Sequence, residues 1–200
     1  MPRIPYVFPP RAESEIADKI RLRRKDEELT DLDGMILNAP KIAEGYDMLL
    51  KAIRTLNSLP DDVRELIILR VAALNSAAYE WIQHEPLATK AGLNSAQLAM
   101  IRDVSTVPAS ARALNAPSNS IAGFSDIQAA ALEYTDYMTR SVAVPQDVFD
   151  SLRANLENDQ QVFEATATVA TYNMVSRMLM ALDVADKASE EVPKKSPSET

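Results

Sequence analysis

VRELIILRVAALN, residues Val63–Asn75, is the stretch that decides the fold class. Apolar residues recur through it at spacings of three and four, which is the pattern of an α-helix. Apolar residues also fill most of its other positions, so the sequence predicts a helix buried nearly all round. Pro60, Asp61 and Asp62 precede it, and they suit the first turn, where a proline is tolerated and the helix dipole favours carboxylates.

The rest of the chain is read as helical by the same spacing and by capping residues at the start of several segments. Only 4 of the 200 residues are glycine, which disfavours the tight turns of an all-β protein. The sequence therefore predicts an all-α fold, with further helices over Ala12–Lys25, Asn38–Leu56, Asn75–Gly92, Asn94–Asp103, Ser125–Arg140, Pro145–Leu156 and Asn158–Ala185.

Three local signals predict breaks between or within these helices. Asp33-Gly34 is typical of a turn. Pro86 is expected to kink or interrupt its helix just beyond His84, because proline has no N–H to donate. Gly92 is expected to end that helix in the left-handed conformation.

The chain is predicted to form one helical domain over residues 12–186, between an extended arm (1–11) and a disordered tail (187–200). Four prolines in the first ten residues prevent regular structure in the arm. The arm is either disordered or packed across its own domain or a neighbouring subunit. The connection Ser105–Phe124, rich in serine, asparagine and proline, is the one candidate for an internal boundary.

A faint internal repeat leaves open a division into two related helical halves. VFEATATVATYN, residues Val162–Asn173, shares with Val63–Asn75 a Val-x-Glu start and a final asparagine. Two apolar helices also match this well by chance, so duplication remains one of two interpretations.

Composition excludes several kinds of site and partner. There is no cysteine, so thiolate chemistry, disulfides and iron–sulfur clusters are impossible. A single histidine, His84, excludes a metal site with two imidazoles from one chain, and no metal or cofactor is expected. The net charge of −8 argues against a nucleic-acid or anionic membrane partner. Without a signal peptide or an apolar run long enough to span a bilayer, we expect a cytoplasmic protein.

Three residues are candidates for acid–base catalysis. Glu80 and His84 stand four residues apart on one predicted helix, so they share a face and can hydrogen-bond. Such a pair gives a proton donor and acceptor near neutral pH. Glu65 is a carboxylate on the apolar helix, where it needs a partner. Glu65 either belongs to the catalytic site or pairs with a neighbouring arginine in a structural ion pair.

Four further residues are candidates for binding a substrate. Arg177 lies in an apolar helix four residues after Asn173, and it either neutralises a buried carboxylate or binds a carboxylate on the substrate. Arg70 has the same two possible roles. Tyr79 stands beside Glu80, and its hydroxyl needs a polar partner if the ring is buried.

Residues Val63–Ile101 resemble the core of the carboxymuconolactone decarboxylase family, which shares a fold with alkylhydroperoxidase D. TATVATYNMVSRMLMALDV, residues Thr166–Val184, resembles the closing helix of longer members. In the redox branch, a glutamate is followed after eleven residues by Cys-x-x-Cys-x-x-x-His. Glu65 and His84 match its glutamate and histidine, whereas Ala77 and Glu80 replace the two cysteines.

The resemblance implies an alkylhydroperoxidase D-like helical bundle that forms a homo-oligomer, commonly a trimer or hexamer, with a dimer also possible. It also implies a cofactor-independent carboxy-lyase that acts on a small unsaturated carboxylic acid or lactone. In that interpretation His84 transfers the proton and Glu80 orients the His84 ring. Glu65 adjusts the local charge, and Arg177 or Arg70 binds an acidic group of the substrate.

Other functions stay open at this stage. An isomerase or cyclase would use the same acid–base residues. A non-catalytic oligomeric scaffold or binding protein that lost the cysteines is the main alternative from another class, and peroxidase activity by another route is a third.

Overall fold

A computed structural model describes residues 1–25, 28–105 and 123–194. The described residues contain nine α-helices and no β-strand, so the predicted all-α class is confirmed. The helices are α1 (Glu15–Arg23), α2 (Asp31–Ile36), α3 (Pro40–Thr55), α4 (Asp61–Leu74), α5 (Ala78–Lys90), α6 (Ser95–Arg102), α7 (Asp126–Arg140), α8 (Gln146–Ala154) and α9 (Asp159–Leu182), and a short 3₁₀ turn, Val184–Asp186, follows α9.

Helix α4 lies at the centre of the core, as its all-round apolar sequence predicts. It packs against α5, α6, α7 and α9. Every residue from Glu65 to Ala73 is buried. The two charged residues in that stretch, Glu65 and Arg70, must therefore find partners inside the protein.

Arg70 finds its partner on α7 and joins three helices. Its Nε and Nη2 donate to the two carboxylate oxygens of Asp136 at 2.6 and 2.8 Å. Its Nη1 donates to the carbonyls of Ile101 and Asp103 at 2.9 and 3.0 Å, at the end of α6. The guanidinium thus neutralises a buried carboxylate and also satisfies carbonyls that a helix end leaves without partners.

Most helix ends follow from the local sequence. The side chains of Ser14, Asn94, Ser125 and Asn158 each accept a hydrogen bond from a backbone N–H in the first turn of the helix that follows. Gly92 closes the end of α5 with a φ of +104°, as predicted.

Helix α5 differs from its prediction at both its start and its middle. It runs unbroken through Pro86, where a kink or an interruption was expected. It begins at Ala78 rather than near Asn75, because Ser76 has a positive φ of 55° and separates it from α4. The polypeptide thereby turns sharply between the two helices that carry Glu65 and His84.

The turn expected at Asp33-Gly34 is instead part of helix α2. Thr30 and Asp33 form a reciprocal capping box that starts the helix. Position 34 needs glycine because the ring of Phe8 lies against it, and a Cβ built there would come within 2.3 Å of that ring. Asn38 does not cap α3; Ala39 occupies that position, and the Asn38 side chain donates to the carbonyl of Pro5.

The N-terminal arm packs across its own domain, which was one of its two predicted states. The N–H of Val7 donates to the carbonyl of Gly34 at 2.9 Å. The N–H of Arg3 donates to the carbonyl of Leu182, and the Tyr6 hydroxyl accepts from the N–H of Ala185. The arm thereby links α2 to the end of α9.

The tail and the connection are described only in part. Arg102 donates to the carbonyl of Lys194 at 3.1 Å, so that part of the predicted tail contacts the domain. Residues 195–200, and 106–122 of the predicted connection, lie outside the described residues. Among the helices that are described, none has the length and apolar character needed to cross a membrane.

The two segments of the internal repeat face each other. Helices α4 and α9 pack together, and the repeat's final asparagines meet, with Asn75 Nδ2 donating to Asn173 Oδ1 at 3.1 Å. This contact agrees with two related helical halves. It agrees equally with two unrelated apolar helices.

Replacement of Arg70 tests its structural role. Arg70→Leu leaves Asp136 buried without its main partner, so we expect the free energy of unfolding in urea to fall by about 3–5 kcal/mol. The matched control is Arg177→Leu on the exposed face of α9, for which we expect a change below about 1 kcal/mol. Equal effects of the two variants would contradict the role given to Arg70.

Candidate active site

A small, partly open cavity of about 90 Å³ lies where α3, α5 and α9 meet the end of α1 and the start of α2. Its walls mix apolar side chains with many groups that donate, accept or titrate. The polar lining residues are Arg23, Arg24, Thr30, Asp33, Tyr46, Arg54, Tyr79, Glu80, Gln83, His84 and Tyr172, and the apolar ones are Leu32, Leu50, Val175 and Leu179.

His84 lies on α5 in the cavity wall, with a partner at each ring nitrogen. Its Nδ1 is 2.8 Å from Oε2 of Glu65, and its Nε2 is 3.2 Å from the hydroxyl oxygen of Tyr172. Burial lowers the pKa of His84, and the neighbouring Glu65 carboxylate only partly opposes this shift. The ring is therefore neutral near pH 7.

The partners of His84 assign its tautomer. Since a carboxylate accepts hydrogen bonds, the Nδ1–H of the neutral ring donates to Glu65. Nε2 is then unprotonated and accepts from the Tyr172 hydroxyl. The site therefore presents a basic lone pair at Nε2, oriented by a carboxylate from another helix.

Glu65, rather than Glu80, orients His84. The i, i+4 spacing predicted a Glu80–His84 bond, but the carboxyl group of Glu80 is bonded to Ser176 on α9 instead. The Glu65 carboxylate also lies 3.5 Å from Nε of Arg64. Both partners that the sequence allowed for Glu65, the site and a neighbouring arginine, are thus present.

Glu80 is an uncharged acid in the same cavity. Its side chain is buried, and the Ser176 hydroxyl lies 3.1 Å from both carboxyl oxygens. Burial raises the pKa of Glu80 well above its ordinary value, and the bond from Ser176 opposes this only in part. Burial therefore favours the neutral, protonated form of Glu80, which can act as a proton donor.

Arg54 is the cationic group of the cavity that sequence reasoning missed. Within the described residues, its guanidinium makes no hydrogen bond or salt bridge. It lies close enough to lower the pKa values of both His84 and Tyr172. The available signal was the spacing of Tyr46, Leu50 and Arg54, which places an arginine on the same helix face as two side chains of the cavity wall.

Two other arginines line the cavity, but each lies beside a carboxylate of its own. Nε of Arg23 is bonded to Asp47, and Nε of Arg24 lies 3.7 Å from Asp33. Because His84 and Glu80 are uncharged, Arg54 adds a positive charge that no described side chain pairs. The cavity is therefore suited to an anionic ligand.

Of the four predicted substrate-binding residues, the structure places one in the cavity. Tyr79 lines it, and burial raises the pKa of its hydroxyl. Arg70 is committed to Asp136, as described above. Asn173 binds Asn75 and Thr139, and Arg177 faces outward on α9 beside Met174 and Met178.

The described residues do not offer a site for a metal ion. Within residues 1–25, 28–105 and 123–194, no three acidic or histidine side chains are grouped closely enough to coordinate one. What the cavity holds is a base at Nε2 of His84, a neutral acid at Glu80 and a cation at Arg54. Together these groups can bind an anion and move a proton to or from it.

Comparison with known proteins agrees with this fold. The family model for carboxymuconolactone decarboxylases matches residues 40–117. No curated protein sequence matches the chain. Among solved structures, a peroxidase-related protein from Ralstonia eutropha JMP134, described as an alkylhydroperoxidase D core, is 16% identical, with a TM-score of 0.69 and coverage of 94% of both chains.

Two other solved structures are similar to the same extent. A peroxidase-related protein from Silicibacter sp. TM1040 is 15% identical with a TM-score of 0.66, covering 94% of this chain and 96% of the other. A debrominase variant in complex with 2,3,4-tribromopyrrole is 16% identical, with the same TM-score and coverage. The chain thus matches the carboxymuconolactone decarboxylase family model over residues 40–117, its fold is similar to that of an alkylhydroperoxidase D core, and it has no cysteine.

Proposed function

We propose that the cavity belongs to a cofactor-independent carboxy-lyase that removes CO2 from a small unsaturated carboxylic acid or lactone acid. The observation that carries this proposal is the joint placement of an oriented neutral base, a protonated acid and an unpaired arginine in one cavity. The family segment over residues 40–117 supports it. Because the chain has no cysteine, thiol chemistry is impossible, and acid–base chemistry is what these side chains can supply.

Arg54 binds the substrate in this mechanism. Its guanidinium pairs with an anionic group that the product retains, and it thereby fixes the position of the reacting carbons. Arg54 also stabilises the negative charge that passes into the conjugated system as CO2 leaves. The hydroxyls of Tyr46 and Tyr79 lie in the same wall and provide further donors.

Glu80 supplies the proton. Breaking the carbon–carboxylate bond leaves an electron pair, which the conjugated carbonyl accepts to form a dienolate. The neutral carboxyl group of Glu80 then protonates a carbon of that dienolate. A charged Glu80 carboxylate is disfavoured in this buried position, so it takes up a proton again before the next turnover.

His84 returns that proton. Nε2 accepts a proton from water that enters the cavity and passes it to Glu80, which stands one helical turn away on α5. The Glu65 carboxylate stabilises the imidazolium formed in between. The net reaction consumes one proton from solvent and releases one CO2 for each substrate molecule.

Replacement of His84 tests the proton transfer. We expect His84→Gln to lower kcat by 10²–10⁴-fold on any substrate that wild type turns over, because a general acid–base group contributes about that much. CO2 release is measured together with substrate loss. Substrate consumption without CO2 would instead indicate an isomerase or cyclase, and an unchanged kcat would remove His84 from the proton transfer. Absence of turnover by wild type on every compound tested would favour a non-catalytic binding protein.

The anion-binding role of Arg54 can be measured without turnover. In a thermal-shift screen of small unsaturated carboxylates and lactones, a ligand is expected to raise the melting temperature of wild type by several degrees. Arg54→Gln should weaken that ligand at least tenfold, since a charge-assisted bidentate pair is lost. Arg177→Gln, on the outer face of α9, is the matched control and should bind as wild type does. Equal binding by Arg54→Gln and wild type would remove Arg54 from the site.

The protonation state of Glu80 predicts a pH dependence of stability. The pKa of Glu80 is higher in the folded than in the unfolded chain, so the folded state binds more protons above pH 4.5 and loses stability as pH rises. Glu80→Gln lacks this loss and should gain stability relative to wild type between pH 5 and pH 8. Urea unfolding at pH 5 and at pH 8 measures the difference in free energy of unfolding between Glu80→Gln and wild type. The contribution of His84 cancels because both proteins contain it. A difference that does not change with pH would contradict a protonated Glu80.

A further inference from the structure

The hydroxyl of Tyr172 occupies the lone pair with which His84 would act as a base. Tyr172 belongs to α9, and its hydroxyl oxygen lies 3.2 Å from Nε2 of His84. A neutral imidazole that carries its proton on Nδ1 has one acceptor lone pair, at Nε2. Because the Tyr172 hydroxyl donates to that lone pair, a proton that reaches Nε2 from the cavity has to pass through this hydroxyl.

Packing holds Tyr172 in this position. Its side chain is only 1% exposed and belongs to the hydrophobic core. The Tyr172 and His84 rings are nearly perpendicular, at 89°, with their centroids 5.1 Å apart. A rotation that moved the phenol away from Nε2 would push it into neighbouring side chains of a close-packed interior. The hydroxyl therefore stays beside Nε2 rather than swinging aside to admit water.

A second hydrogen bond between the same two helices brings Glu80 near this hydroxyl. Glu80 and His84 are four residues apart on α5. Their partners, Ser176 and Tyr172, are four residues apart on α9. The two bonds, of 3.1 and 3.2 Å, therefore lie one helical turn from each other. That gap is about 5 Å, which one water molecule in the cavity bridges.

A phenol can pass a proton on without becoming charged. Its hydroxyl donates one hydrogen bond and accepts others at the same time. It can therefore give its own proton to one neighbour while it takes a proton from another. Burial raises the pKa of Tyr172 well above its ordinary value, and Arg54 opposes this only in part. A free phenolate is disfavoured here, so the two transfers occur together.

We propose that Tyr172 is a proton relay through which His84 exchanges protons with the cavity. The relay runs from Glu65 on α4 through His84 on α5 to Tyr172 on α9, with contacts of 2.8 and 3.2 Å. It rests on the acid–base reaction proposed above, and it connects His84 to Glu80 and to solvent. Tyr172 acts on the substrate only through its neighbours, so it is a positioning residue.

Two transfers move one proton from solvent to Glu80. In the first, the Tyr172 O–H bond breaks as an Nε2–H bond forms, and the phenol oxygen takes a proton from water, which leaves hydroxide to the solvent. In the second, the His84 imidazolium returns its proton to the phenol oxygen. At the same time the phenol gives its own proton, through one water molecule, to the Glu80 carboxylate. Tyr172 is neutral after each transfer, and the Glu65 carboxylate stabilises the imidazolium between them.

Tyr172→Phe keeps the ring and removes only the hydroxyl. On a substrate that wild type turns over, we expect this variant to lower kcat at least tenfold and to leave KM within about twofold, because proton transfer is impaired and substrate binding is not. The matched control is Tyr134→Phe on α7. Tyr134 is also buried, and its hydroxyl bonds Thr166 at 2.9 Å outside the cavity lining. Tyr134→Phe should keep the kcat of wild type, and an equally unchanged kcat in Tyr172→Phe would overturn the relay.

A double variant tests whether Tyr172 acts through His84. Residues that work as one unit lose activity together, so Tyr172→Phe in combination with His84→Gln should be no slower than His84→Gln alone. Losses that multiply would show that the hydroxyl acts independently of the imidazole, and they would overturn the relay.

Nuclear magnetic resonance of His84 tests the relay without a substrate. His84 is the one histidine of the chain, so the signals of its isotope-labelled ring are unambiguous. Near the pH at which half of the rings are protonated, line shapes give the rate of exchange between neutral and protonated His84. Tyr172→Phe should slow this exchange at least tenfold, because an apolar ring edge replaces the hydroxyl at Nε2, and Tyr134→Phe should not change it. An exchange rate that Tyr172→Phe leaves unchanged would contradict the relay.

The two measurements separate failure of the relay from failure of the reaction. Slowed exchange in Tyr172→Phe, together with a wild type that turns over no acid or lactone, would reject the carboxy-lyase and support the relay. Unchanged exchange, together with CO2 release by wild type, would support the carboxy-lyase and overturn the relay.

Discussion

Burial of α4 from Glu65 to Ala73 is the constraint on which the rest of the structure depends. A helix surrounded by other helices has no access to water, so each charged side chain on it must be neutralised within the protein. Glu65 and Arg70 are the two charged residues of its buried stretch, five positions apart, and they point to different neighbours. Arg70 binds Asp136 and the end of α6, which fixes the scaffold. Glu65 binds His84, which fixes the orientation of the base in the cavity.

The cavity derives its chemistry from the same low-polarity surroundings. Burial removes the charge from His84 and from Glu80 by shifting their pKa values in opposite directions. A base and an acid thus stand on one helix, both uncharged, near neutral pH. Two cysteine positions of the related redox pattern are filled here by Ala77 and Glu80. The second replacement puts a carboxylic acid where the redox pattern has a thiol, and the proton transfer proposed for this cavity depends on that residue.

Features set by neighbours in sequence were predictable, and features set by neighbours in space were not. The caps at Asn94, Ser125 and Asn158 and the end of α5 at Gly92 depend on a few adjacent residues, and they lie where the sequence places them. The need for glycine at position 34, within a helix, depends on Phe8, which is 26 residues distant. Spacing also could not decide which carboxylate reaches His84, because periodicity shows faces within one helix and gives no information on the helix packed against it. The cavity residue Arg54 was missed for the same reason.

The N-terminal arm joins the two ends of the fold, and this has a kinetic consequence. The bond between the Tyr6 hydroxyl and the N–H of Ala185 spans 179 residues, and the bond from Arg3 to Leu182 spans the same number. All-helical proteins usually fold fast because their contacts are local. Here one group of contacts forms only after the first and last parts of the chain have met, and closing so large a loop costs entropy that local helix formation does not. The arm is therefore expected to dock late, on a body whose helices have already assembled.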